Sequence, residues 1–255
     1  MKRINDILGY KNLKILQEDD YFSFSLDSVM LANFVSIRLR DKNYADLGCG
    51  NGVIPLILSL RTDKKIVGVE IQEKLASLAT ESIKCNNLSE QISIINQDMK
   101  DFADSNCETF DVVTCNPPFF KYTENSCLNL SEEKVIARHE VAIDLSGVFS
   151  VTRKILKNNG LFAIVHRPDR LLEIIDQFRL NKIEPKRIRF VYSKLEKNSI
   201  MILIEGIKNG KPGLKIEKPF VLYDNDGTFS SEYELLMKEV ARWIKRVMME
   251  DQVYI

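Results

Sequence analysis

At 255 residues, with 45% apolar and 28% charged side chains, the chain can bury a sizeable core and has the composition of an ordinary globular protein, not a disordered one. Thirty-six basic and 36 acidic residues cancel, which argues against indiscriminate polyanion binding; five cysteines without Cys-x-x-Cys spacing and only two histidines argue against a zinc site or a disulfide framework. The opening Met1-Lys2-Arg3-Ile4-Asn5-Asp6 has no apolar signal core, and the longest uncharged apolar stretch, Val53 to Leu60, is too short to span a bilayer, so a cytoplasmic protein with no membrane partner is expected.

Leu26, Val29, Met30, Ala32, Phe34 and Ile37 recur at helical spacing and predict a helix over Leu26 to Leu39, with Ser25 or Asp27 as its cap. Tyr44 to Leu47 reads as the first strand and Val53 to Leu60 as a helix. A second strand follows at Lys65 to Glu70, then a helix at Glu73 to Asn86 with Leu75, Leu78, Ala79 and Ile83 inward. Ile92 to Ile95 and Phe110 to Cys115 are the third and fourth strands. Leu145 to Leu156 is helical and stops at Asn158-Asn159-Gly160, residues that tolerate left-handed backbone. Leu161 to Val165 is the fifth strand and Arg170 to Phe178 the helix after it. Arg187 to Tyr192 and Ser199 to Glu205 have no helix between them and predict an antiparallel hairpin at the sheet edge. Residues 207–230 read as an irregular surface extension, and Glu232 to Met249 as a last amphipathic helix.

Strand and helix alternate through five units before the hairpin, so the expected fold is α/β: a mostly parallel seven-stranded sheet with helices on both faces. One domain is expected over 1–255, with a helical lead-in at 1–42, the core at 43–206 and an extension with its helix at 207–255. Charge is uneven along it. Glu90 to Asp111 holds six acids against one lysine, and Arg179 to Lys197 seven bases against two acids. Nothing in the sequence fixes an oligomeric state.

Asp46-x-Gly48-x-Gly50-x-Gly52 follows a strand and opens a helix, where glycine lets backbone approach a ligand. Its spacing departs from the dinucleotide fingerprint, and it lacks the Lys-Ser/Thr of a phosphate loop. S-adenosylmethionine, which has no pyrophosphate, suits it better. Asp46 would accept near the ammonium of the amino-acid tail, Glu70 at the end of the second strand from the ribose hydroxyls, and Asp98 from the adenine amine with Met99 against the ring. Each has a plainer reading: a simple turn, a helix cap at Glu70, a solvated loop acid at Asp98. Their joint placement at successive strand ends favours the cofactor. Asp27 either borders that pocket or caps its helix.

Asn116-Pro117-Pro118-Phe119 directly follows the fourth strand. Paired prolines cannot donate to a ladder and hold the preceding residues extended, so a stiff turn aims the Asn116 amide oxygen and the Pro117 carbonyl at one point. An amine conjugated to a ring is a poor nucleophile. Two acceptors that hold its hydrogens favour the tetrahedral nitrogen formed on attack, with no strong base required. Phe119 would stack on a planar base; a rigid turn with Phe119 in the core is the alternative.

At these residues the chain resembles class I, Rossmann-like, S-adenosylmethionine-dependent methyltransferases, with Asp46 to Gly52, Glu70, Asp98 and Asn116 to Phe119 matching their successive motifs. It further resembles the bacterial tRNA1(Val) adenine-37 N6-methyltransferase family over nearly its whole length. Phe22 to Leu31, Asn116 to Phe120, Ala137-Arg138-His139-Glu140 and His166 to Leu171 carry that likeness. The resemblance implies methyl transfer to the N6 amine of an adenine in tRNA. Phe120, Arg138, His139, Lys186, Arg187 and Arg189 then become candidates for contact with the substrate. Lys194, Lys208, Lys211, Lys215 and Lys218 extend the basic region, although lysines on an edge strand also serve to discourage edge pairing. Arg138-His139-Glu140 follows a polar stretch, Lys121 to Glu133, that reads as a lid; His139 is either a base or a neighbour of an Arg–Glu anchor. His166 reads as packed or solvated.

Glutamine N5-methylation of release factors, DNA adenine methylation and guanine N2-methylation of ribosomal RNA use similar tetrapeptides. The first expects a separate helical domain where only 45 residues precede Asp46, the second a target-recognition domain, and the third a longer duplicated chain. A non-catalytic RNA-binding protein is the reading from another class, and the intact Asp46, Glu70, Asp98 and Asn116 speak against it.

Overall fold

The computed structural model describes residues 2–7, 10–18, 26–118 and 144–236. Two strands come first, β1 (Lys2–Ile7) and β2 (Tyr10–Glu18), paired antiparallel. Then follow α1 (Leu26–Phe34), β3 (Asn43–Leu47), α2 (Val53–Ser59), β4 (Lys65–Glu70), α3 (Glu73–Cys85), β5 (Ile92–Asn96), α4 (Met99–Ser105) and β6 (Phe110–Cys115). The remainder is α5 (Leu145–Ile155), β7 (Leu156–His166), a 3₁₀ turn Pro168–Arg170, α6 (Leu171–Leu180), β8 (Ile183–Tyr192), β9 (Ser199–Lys208), β10 (Lys215–Ile216) and β11 (Phe220–Val221).

The main sheet runs β10-β8-β9-β7-β6-β3-β4-β5, with β11 also on β8. β5, β4, β3, β6 and β7 are mutually parallel, and β9 is antiparallel to both β7 and β8. The expected hairpin is therefore present, and its second strand lies inside, between β7 and β8. β8 consequently points the same way as β6, so Tyr192 and Cys115 end at the same edge of the sheet.

Helices cover both faces because the central strands are apolar on both sides. One layer joins Val29 and Leu31 of α1, Val53 and Leu56 of α2 and Ile83 of α3 to Tyr44, Ile66 and Val112. The other joins Phe102 of α4, Phe149 of α5 and Phe178 of α6 to Leu47, Val113 and Ile204. Phe149 meets the rings of Phe162 and Phe178 edge-on at 5.1 and 4.8 Å between centroids. Gly206 passes beneath Phe178, where a Cβ would come within 2.6 Å of the ring.

Several expectations are corrected. The lead-in is a β-hairpin followed by a helix that ends at Phe34, five residues short of the expected Leu39. Ile7, Leu13 and Ile15 of the hairpin enter the core, and its outer edge is satisfied by side chains of α3: Ser82 Oγ accepts from Leu16 N–H, and Asn86 exchanges two bonds with Lys14. α4 was not expected. It is only seven residues long, and its apolar residues Met99, Phe102 and Ala103 fill less than two turns, too short a stretch to establish a helical period. Asn158-Asn159-Gly160 does not end a helix but sits inside β7, where Asn159 is left-handed (φ 61°) at an irregularity in the pairing with β6. The extension is not wholly irregular: β10 and β11 add parallel to β8. Residues 231–236 begin the last helix, and the rest of that expected element lies outside the described residues.

Candidate active site

The site forms at the carboxyl edge of β3, β4, β5 and β6, the edge where open α/β sheets bind ligands. After β3 the chain turns through Gly48 (φ +68°) and Gly50 (φ +55°), and a Cβ at either would meet nothing within 4 Å among the described residues beyond its chain neighbours. That loop offers bare backbone to a ligand. It is held from behind, since Gly48 and Cys49 N–H donate to the Val69 carbonyl at 2.8 and 3.0 Å. Gly52 does different work: its missing Cβ lets α2 pack on Ala79 of α3.

Asp46 is buried. Its Oδ1 accepts from the Thr114 hydroxyl at 2.7 Å, while Oδ2 has no partner among the described residues. Burial pushes its pKa up to about 8; Thr114 opposes that and Glu70 adds to it. Glu70 is buried at the end of β4 and accepts from Gly50 N–H and Gln72 N–H, each at 2.9 Å. It therefore braces the glycine loop and the entry to α3 at once, and burial raises its pKa despite those bonds. Each of its oxygens keeps a lone pair for a hydroxyl donor. Asp98 is the N-cap of α4, accepting from Lys100 N–H at 2.7 Å, and the half-buried Met99 packs on the core beside it.

Asn116 and Pro117 follow β6 directly. Asn116 Nδ2 donates to Ser28 Oγ at 2.9 Å, which brings the first turn of α1, with Asp27, against the acceptor turn. Thr114 and Ser28 carry no sequence signal of their own; only the register Asp46↔Thr114 and the packing of α1 assign them a place. Phe119, Phe120, the stretch 121–133, Arg138 and His139 lie outside the described residues.

The basic residues do not converge on this turn. Arg187 is engaged inside the fold: its guanidinium pairs with Glu205 at 3.5 Å and Glu217 at 3.2 Å, donates to the Phe34 carbonyl, and lies 4.1 Å from the Phe34 ring centroid. Arg189 pairs with Glu232 and donates to the Lys218 carbonyl at 3.1 Å. Lys186 Nζ donates to the Lys211 carbonyl at 3.0 Å, and the buried Lys208 pairs with Glu108 at 2.9 Å. Lys211, Lys215 and Lys218 are exposed. His166 is packed, and burial, aided by Arg170, lowers its pKa to about 4, so the ring is neutral at pH 7.

The donor set suits S-adenosylmethionine: an orphaned buried carboxylate oxygen for a cation, a second carboxylate with spare lone pairs, and an open glycine loop without phosphate-binding groups. Among the described residues no helix is long and apolar enough to cross a membrane, and no cluster of three or more His, Cys, Asp or Glu could hold a metal.

Comparison with known proteins bears on the family and the fold. A protein from Flavobacterium psychrophilum named tRNA1(Val) (adenine(37)-N6)-methyltransferase is 23% identical over 237 residues, covering 91% of this chain and 97% of its own length. A protein of the same name from Haemophilus influenzae is 27% identical over 233 residues, covering 90% and 96%. Among solved structures, one described as a predicted O-methyltransferase from Agrobacterium tumefaciens superposes with a TM-score of 0.66 at 18% identity, over 84% of this chain and 96% of that one. Geranyl diphosphate C-methyltransferase from Streptomyces coelicolor, solved with S-adenosyl-L-homocysteine, gives 0.53 at 12% identity over 71% and 76%. These likenesses show the Rossmann-like class I fold. The family defined by the methyltransferase domain matches residues 39–202, and the chain belongs to that family.

Proposed function

We propose that the protein methylates the N6 amine of an adenine in tRNA, at position 37 of tRNA1(Val), with S-adenosylmethionine as donor. The observation that carries this reading is the meeting of the Asn116-Pro117 turn with the glycine loop, joined through Thr114 and Asp46. Likeness over nine-tenths of the chain to relatives named for that reaction supports the choice of base and RNA.

When bound, S-adenosylmethionine supplies an electrophilic methyl group on a sulfonium. Asp46 Oδ2 takes the ammonium, Glu70 the ribose hydroxyls and Asp98 the adenine amine beside Met99, while Gly48 and Gly50 keep the loop low enough for contact and Gly52 seats α2 behind it; Asp27 borders the pocket. Asn116 Oδ1 and the Pro117 carbonyl accept from the target amine and turn its lone pair outward. Phe119 stacks on the flipped base and Phe120 flanks it. Arg138 and His139 belong with the substrate contacts. No residue needs to act as a strong base, because the proton is lost after the nitrogen has become cationic.

The lysines available to phosphates are Lys211, Lys215 and Lys218, with no side-chain partner among the described residues; Lys186 adds to them from β8. Arg187 and Arg189 act on RNA through the shape of this edge. The reading puts the protein in the cytoplasm with tRNA. Purified protein with labelled donor should label a valine tRNA transcript, and nucleoside mass mapping should return N6-methyladenosine at position 37. Label in a release factor and none in the transcript would overturn it.

A further inference from the structure

Helix α1 touches the acceptor turn through Ser28, whose Oγ takes the hydrogen bond from Asn116 Nδ2 at 2.9 Å across 88 residues of sequence. Asn116 Oδ1 has no partner among the described residues. An asparagine amide is broad and two-fold about its last torsion, so without a second contact it presents oxygen and nitrogen almost interchangeably. Presented nitrogen would set donors against the hydrogens of an amine.

The other end of α1 is clamped. A helix leaves its last carbonyls unsatisfied. Here Arg61 donates to the Ala32 carbonyl and Arg187 to that of Phe34. Asn33 Nδ2 donates to the Tyr10 hydroxyl at 2.8 Å, and Glu205 accepts from Ser36 N–H at 2.6 Å and its hydroxyl at 2.9 Å. The helix is thereby fixed by β2, β8, β9 and Arg61 just past α2, and it delivers Ser28 to a set point at the sheet edge.

We propose that Ser28 is a positioning residue for methyl transfer: α1, clamped by Arg61 and Arg187, holds the Asn116 amide so that Oδ1 faces the acceptor amine. Accepting from Nδ2 also polarises the amide and strengthens Oδ1 as an acceptor. The inference rests on the reading above in taking Asn116 as the group that meets the amine. A merely structural bond would satisfy the half-buried amide and affect stability, not turnover.

Two measurements test it. In ¹⁵N-labelled protein the Asn116 side-chain amide, identified by its loss in Asn116→Ala, should exchange slowly with solvent in the wild type and in Ser28→Thr. In Ser28→Ala it should exchange about tenfold faster, as expected on removing one hydrogen bond. In methyl transfer, Ser28→Ala should lower kcat about tenfold and leave KM for donor and RNA within about twofold, Ser28→Thr should recover most of the activity, and Ser28→Ala should add nothing to Asn116→Ala. Unchanged amide exchange, unchanged kcat, or a rise in KM alone would overturn the proposal. A wild-type protein that labels no tRNA would strike the substrate reading instead, and amide exchange would still decide whether Ser28 holds the Asn116 amide.

Discussion

Thr114 and Asp46 face each other across β6 and β3, and the 2.7 Å bond between them couples the two halves of the site. Asp46 leads into the glycine loop, and Thr114 stands two residues before Asn116. The donor loop and the acceptor turn are therefore held in one register by a buried pair.

Asp46 should make the ligand-free protein less stable as pH rises. The unfolded chain releases this proton near its ordinary value of 3.8, whereas the folded protein keeps it to about 8, so between those values the folded state binds more protons and stability falls with pH. Urea denaturation should show that decline from about pH 6.5 to 8, above the range in which the buried neutral His166 acts in the opposite sense, and Asp46→Asn should flatten it. S-adenosylmethionine, whose ammonium favours the carboxylate, should bind more tightly with rising pH and release a proton, measurable by titration calorimetry in buffers of different ionisation enthalpy. A stability that rises over this range would reject the assignment.

Glu70→Ala should leave the Gly50 and Gln72 N–H groups without their acceptor, at a cost of about 1–3 kcal/mol in unfolding free energy. Donor affinity should fall more than about tenfold, because the same carboxylate serves the loop and the ribose. Glu70→Gln keeps one carbonyl acceptor and should lose less of both. Full donor affinity in Glu70→Ala would remove Glu70 from the cofactor site.

Asn116→Ala should reduce transfer by at least about a hundredfold, the scale of one preorganised catalytic hydrogen bond, with donor affinity little changed. Calorimetry beside single-turnover kinetics separates these. Loss of donor binding would make Asn116 structural.

Arg187 and the extension lysines should separate fold from RNA binding. Arg187→Met leaves the buried Glu205 with Ser36 but without its cation, removes the donor to the Phe34 carbonyl, and should cost up to about 3–5 kcal/mol, the range for breaking one side of a buried ion pair. Lys215→Ala with Lys218→Ala should leave the melting temperature alone and weaken tRNA binding, lowering the slope of log affinity against log salt by about 0.7–1 for each phosphate no longer neutralised. Unaltered salt dependence would clear those lysines of a role at the RNA backbone.

The two prolines after an apolar run, the glycines after a strand and the acids at the next strand ends were legible because each is a local constraint of backbone or chemistry. They prescribe a mostly parallel α/β sheet, which the structure has, and they gather the candidate site residues at its carboxyl edge. The amino-terminal hairpin was not legible: Ile7, Leu13 and Ile15 become core residues through α1 and α3, and β2 finds its outer hydrogen bonds in Ser82 and Asn86, more than sixty residues away. The intramolecular partners of the β8 arginines were not legible for a related reason. A guanidinium has the same charge facing a phosphate or facing Glu205, and sequence spacing carries no information about which it meets.

The sequence by itself carried the expectation of methyl transfer, because Asn116-Pro117-Pro118 and Asp46 to Gly52 are backbone constraints written in consecutive residues. Tertiary structure decided which partners those residues have: Thr114 on Asp46, Gly50 and Gln72 on Glu70, Ser28 on Asn116, and Arg187 on α1. Apart from Gln72, two residues past Glu70, each pair joins segments distant in the chain, and strand register and helix packing exist only once the core has closed.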